Sequence, residues 1–131
     1  MRFLLDTHAL LWFSEANPQL PHAVRIIIED RNNACYISHV SAWEIAIKIR
    51  LGKLEPGLAI DHLPKAIGAM GLSILPITAT HSLAEVEPVP PTRDPFDRLL
   101  LAQCIVENRR LATVDHALTG HPFAAAFHGR P

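Results

Sequence analysis

A chain of 131 residues is a natural length for one domain, and folding at that size buries roughly two-thirds of the surface of the unfolded chain, so a core needs no staples. Apolar residues make up 49% of it, but eleven prolines and six glycines cut them into short blocks, none of which can cross a membrane as a helix. A formal net charge of −1, without a long run of either sign, gives no evidence for nucleic-acid binding, since a general phosphate-coating protein is usually basic, and it does not exclude a nuclease. It leaves room for an acidic pocket whose local sign a divalent ion would reverse.

Taken in chain order, the opening MRFLLDTHALLWF has a positive charge and apolar residues. Asp6 and His8 interrupt the run and no small-residue cleavage site follows, so the mature protein is expected to start at Met1. Phe3-Leu4-Leu5 is a short strand stopped by Asp6-Thr7, and Ala9, Leu10, Trp12 and Phe13 then suggest a short helix that Asn17-Pro18 ends. Pro21 suits a first helical turn, and Val24, Ile27 and Ile28 carry an apolar stripe up to Glu29-Asp30. Ala34 to Ile37 reads as a second strand, followed by a helix from about His39 to Leu51 that Gly52 is placed to end.

Beyond the turn from Lys53 to Gly57, Ile60 to Met70 looks helical, with Pro64 best placed in its first turn. Gly71 separates this helix from a strand, Leu72 to Ile77, and Thr80 to Val86 forms another short helix. Four prolines make Glu87 to Pro95 an extended loop. Leu99, Ala102, Ile105 and Val106 then give a helical face up to Asn108, and Leu111 to Val114 is a further strand ending at Asp115. An edge strand near Phe123 to Phe127 is a candidate in the tail. Cys35 and Cys104 lack metal or redox spacing and are expected as buried thiols in a reducing cytoplasm.

Strands alternating with helices predict a single-domain α/β sandwich around a mostly parallel sheet with right-handed crossovers. Ligands of such sheets bind beyond the carboxyl ends of the strands, where the strand order switches. Asp6, Glu44, Asp97 and Asp115 each stand where an apolar run meets the start of a helix. Singly, each has a structural role open to it. Asp6 and Asp115 can cap the helices they precede, and Asp94 can cap a helix with Pro95 at its first position and Asp97 at its third. Ser41 to Glu44 matches the capping-box spacing, and Glu44 can also pair with Lys48. Jointly they point elsewhere. Any of several polar residues can cap, whereas all four positions carry full negative charge, and carboxylates crowded together without a counter-ion raise one another's pKa and cost stability. Mg²⁺ or Mn²⁺ removes that conflict, and oxygen-lined sites of this kind serve phosphodiester hydrolysis.

The segments LLDTHALLW (4–12), ISHVSAWEIAIKIRLGKL (37–54), RDPFDRLLLAQC (93–104) and LATVDHAL (111–118) together resemble the PIN-domain family, and more narrowly its VapC-type ribonuclease toxins of bacterial toxin–antitoxin pairs. The motifs run from about residue 3 to residue 120, so the whole chain, 1–131, is expected to be one PIN domain. The resemblance implies a PIN-like α/β/α sandwich with a central sheet, a homodimer, and metal-dependent cleavage of RNA by an endoribonuclease. It places the family's acidic positions on Asp6, Glu44, Asp97 and Asp115, which would hold the metal and activate water, and it matches Thr113 to the family's accessory hydroxyl. A cytoplasmic location, a cognate antitoxin and no membrane go with it. Many relatives have Asn where this chain has His8.

The alternative outside catalysis is a protein-binding module whose acidic cleft receives a basic partner peptide; only the nuclease needs a divalent metal. A zinc site at His8, His39 and His116 has no HExxH or Cys/His spacing behind it, and a haloacid-dehalogenase-type phosphatase would need Asp at His8. Lys48, Arg50, Lys53, Arg93 and Arg98 are expected as solvated surface charge, and Trp12, Trp43 and Phe96 as core side chains rather than platforms for bases.

Overall fold

A computed structural model describes residues 1–54 and 60–125 of the chain. Its strands are β1 (Arg2–Leu5), β2 (Ala34–Ser38), β3 (Ser73–Leu75) and β4 (Arg110–Ala112), hydrogen-bonded in the order β3-β2-β1-β4 and parallel throughout. The helices are α1 (Thr7–Ser14), α2 (His22–Glu29), α3 (His39–Arg50), α4 (Leu63–Ala69), α5 (Ala79–Leu83), α6 (Pro95–Glu107) and α7 (His116–Thr119), with a 3₁₀ turn at Ile60–His62. From β1 the chain winds outward through β2 to β3, then crosses back to lay β4 on the free side of β1. The strand order therefore switches between β1 and β4, and the carboxyl ends of those two strands carry Asp6 and, three residues past β4, Asp115.

Alternation along β1 explains the layering. Phe3 and Leu5 point to one side and pack with Leu10 of α1, Val24 of α2, Ile45 of α3 and Ile67 of α4. Leu4 points to the other, against Leu100, Leu101 and Cys104 of α6 and Leu118 of α7. A strand covered on both faces has no use for polar alternation, which is why β1 reads as an unbroken apolar run. Helix α3 serves both layers, through Ile45 on one side and Val40 on the other. Cys35 and Cys104 are buried free thiols, and burial pushes the Cys104 thiol up to about 12.

Several element boundaries differ from the sequence reading for identifiable reasons. The last strand stops at Ala112 because β1 has ended: Asp6 N–H donates to Ala112 O (3.1 Å), and Thr113 and Val114 then turn to bond the Asp6 side chain instead of a ladder. Helix α3 is capped by Ser38, which accepts from Val40 N–H (3.0 Å), so the capping-box reading of Ser41 to Glu44 is wrong and Ser41 lies inside the helix. Its end matches the role given to Gly52. That residue has φ +72°, and Gly52 N–H and Lys53 N–H bond back to Ile49 O and Lys48 O, a Schellman closure. Pro64 does fall in the first turn of α4. In the tail Ala124 forms a single parallel bridge with Leu111, whereas Phe127, like Glu55 to Gly57 of the predicted turn, lies outside the described residues.

Candidate active site

Asp6 ends β1 and caps α1. Its Oδ1 accepts from Ala9 N–H (2.7 Å), and its Oδ2 accepts from Val114 N–H (3.0 Å) and from the Thr113 hydroxyl. Thr113 Oγ1 in turn accepts from Asp115 N–H (3.0 Å), so one threonine ties the end of β1 to the start of α7. Asp6 is 5% exposed. Burial raises its pKa above the ordinary value, against the pull of these hydrogen bonds and of nearby His8.

Glu44 sits on the second turn of α3, fixed from two sides. Thr7 donates to its Oε1 (2.7 Å) and Lys48 pairs with its Oε2 (2.9 Å) one helical turn on. The hydroxyls of Thr7 and the buried Ser41 are 2.9 Å apart. Since Thr7 has one proton and the carboxylate can only accept, Thr7 donates to Glu44 and Ser41 donates to Thr7.

Asp97 and Asp94 share the start of α6. Asp94 accepts from Phe96 N–H (2.9 Å) as the cap, Pro95 takes the first helical position, and Thr92 both donates to Asp97 Oδ2 (3.1 Å) and accepts from Asp94 N–H (3.1 Å). Burial, then the charge of Asp94 and those of Asp115 and Asp6, raise Asp97 to about 6, opposed by the Thr92 hydrogen bond. Asp115 caps α7 by accepting from Ala117 N–H at Oδ1 (2.9 Å).

Asp6, Asp97 and Asp115 thus lie close enough for their charges to be felt at Asp97, while Glu44 joins them through Thr7. Among the described residues none of the three aspartates has an ion-pair partner; Lys48 is used by Glu44. Among those same residues no three His, Cys, Asp or Glu side chains already close on one point in a metal-holding set. Asp6 and Asp115 each turn an oxygen to a backbone N–H as helix caps, and Asp97 turns one to the Thr92 hydroxyl. Asp97 Oδ1 and Asp115 Oδ2 nevertheless remain without hydrogen bonds among the described residues. Hard, mutually repelling oxygen donors are the donor set that Mg²⁺ or Mn²⁺ takes.

All five residues singled out from the sequence occupy this corner of the fold. Ser41 and Thr92 were missed. Ser41 was read as a cap, and its hydroxyl contact with Thr7 spans a sequence separation that no local pattern reports; the Thr-x-Asp spacing of Thr92 and Asp94 is a recognisable turn signal. Trp43, expected in the core, is 59% exposed.

A parallel sheet covered on both faces, with acids gathered at its switch point, is an α/β fold with a ligand site where such folds place one, and the PIN domain family model matches residues 3–123; the chain belongs to the PIN domain family. Its α/β/α sandwich is that of the family. Among characterised proteins it is similar to Ribonuclease VapC16 of Mycobacterium tuberculosis, 39% identical over 59 residues. That match takes in 44% of this chain and 42% of the relative's length.

Proposed function

We propose that this chain is a divalent-metal-dependent endoribonuclease and the toxin of a toxin–antitoxin pair. The observation that carries the reading is the gathering of Asp6, Asp97 and Asp115 at the sheet's switch point with no ion-pair partner for any of them among the described residues; burial first, then the charge of Asp94 and those of Asp115 and Asp6, raises Asp97 to about 6. Membership of the PIN domain family and the similarity to a protein named as a ribonuclease support it. Asp6, Asp97 and Asp115 would hold the ion, directly or through water, and Glu44 would stand beside a second one. Mg²⁺ or Mn²⁺ bound there would lower the pKa of water and neutralise charge developing on the scissile phosphate.

The chain's own groups do the rest. Glu44, braced by Thr7 and Lys48, orients the attacking water and accepts its proton on a carboxylate oxygen. Thr113 fixes Asp6 through its Oδ2, and Thr92 fixes Asp97 through its Oδ2. In-line attack leaves a 5′-phosphate and a 3′-hydroxyl. The partners of this reading are RNA, a second copy of the chain and an antitoxin that covers the acidic site, with Arg or Lys set among the carboxylates in place of the metal. No described helix is long and apolar enough to cross a membrane, and the cytoplasm is the proposed location. Purified protein free of antitoxin, incubated with total cellular RNA and Mg²⁺ or Mn²⁺, should give discrete cuts that disappear with EDTA and in Glu44→Gln. Cuts that persist in EDTA would contradict the reading.

A further inference from the structure

Trp43 is the one large aromatic side chain left exposed among the described residues, with 59% of its surface in solvent. Its ring meets Phe96 edge to face, centroids 5.6 Å apart and planes at 76°, an arrangement that fixes the indole while leaving its remaining surface open. The location is specific. Trp43 directly precedes Glu44 on α3 and Phe96 directly precedes Asp97 on α6, so the pair bridges the two helices at the border of the acidic site. The part of the indole not packed on Phe96 faces solvent beside the site.

The electrostatics of the corner suggest what it receives. Away from the ion that would receive the scissile phosphate, the carboxylates repel a phosphate and Lys48 is already paired with Glu44, whereas the flat face of a nucleobase is neutral and meets no such barrier. Unpaired bases stack on exposed aromatic rings, and only a single strand presents them. We propose that Trp43, braced by Phe96, is a base-stacking platform that seats an unpaired base beside the bond to be cut. This rests on the ribonuclease reading above.

With Trp12 replaced by Phe, Trp43 is the sole tryptophan and its emission reports stacking directly. A short single-stranded RNA oligonucleotide should quench it, the same strand made abasic or paired into a duplex should not, and Trp43→Ala should bind the single strand about five- to a hundredfold more weakly. In cleavage, Trp43→Ala should raise KM more than it lowers kcat, and Trp43→Phe should recover most of the loss. Unchanged binding and KM in Trp43→Ala, with cleavage intact, would overturn the platform alone. The same would follow if Trp43→Ala left RNA binding intact and instead split a dimer, making the indole a contact between copies. RNA neither bound nor cut by the unaltered chain would overturn the ribonuclease reading and this one with it.

Discussion

Asp6 uses both carboxylate oxygens on the fold, accepting from Ala9 N–H, Val114 N–H and the Thr113 hydroxyl, and this decides how substitutions there behave. Asn has one accepting oxygen, so Asp6→Asn sets an amide N–H₂ against at least one of these buried donors. Each donor left unpaired costs about 1–3 kcal/mol, offset in part because a buried charge is no longer needed. Asp6→Asn should therefore lose stability in denaturant melts as well as cleavage, whereas Glu44→Gln, at a part-exposed position, should lose cleavage while melting near the original chain. Thr113→Val removes a donor to Asp6 and the acceptor for Asp115 N–H; it should melt lower and cut more slowly, and Thr113→Ser should restore both. The charged residues of this corner were legible in the sequence because acids at strand ends are a pattern. Ser41 and Trp43 were not, since burial at one and exposure at the other depend on what packs against α3, and an apolar or small side chain carries no label for which face it takes.

At the scale of elements, α6 carries two acids with separable roles. Asp94 caps the helix through Phe96 N–H and Asp97 takes the site-facing position, with Asp94 adding to the charge that raises it. Asp94→Ala should cost about 0.5–2 kcal/mol of stability through the lost cap. Asp94→Asn keeps an accepting oxygen for the cap and removes the charge, so it should fold and cut RNA like the original chain, and loss of cleavage in this folded variant would show Asp94 to be a metal ligand. The cap–Pro–acid order at Asp94, Pro95 and Asp97 was readable residue by residue. Strand ends were not. Leu72 to Ile77 contracts to Ser73–Leu75 and the last strand shifts to Arg110–Ala112, because a strand lasts only while a neighbour pairs with it: β3 pairs with β2, which ends at Ser38, and β4 with β1, which ends at Leu5.

For the whole molecule, alternating strands and helices were enough to predict the parallel sandwich, while the strand order came only with the structure. That order brings together acids as far apart in sequence as Asp6 and Asp115, and the result is a stability that depends on pH. Burial and the neighbouring acids raise Asp97 from 3.8 to about 6, and burial raises Asp6 as well. In that window the folded protein binds more protons than the unfolded chain, so stability contributed by these groups is present at the acid end and falls as pH rises from about 4 to 6. Metal-free protein should melt higher near pH 5 than near pH 7 as far as these two groups govern it. Mg²⁺ or Mn²⁺ should raise the melting temperature at pH 7, where the ion binds only the folded chain.

The most direct test of the acidic corner is a titration of metal-free protein with Mn²⁺ at neutral pH, followed by calorimetry, on the original chain and on Asp97→Asn and Asp115→Asn. The account predicts saturable binding by the original chain that is severely weakened in both folded variants. A folded original chain that does not bind Mn²⁺, or binding that survives both substitutions unchanged, would contradict it.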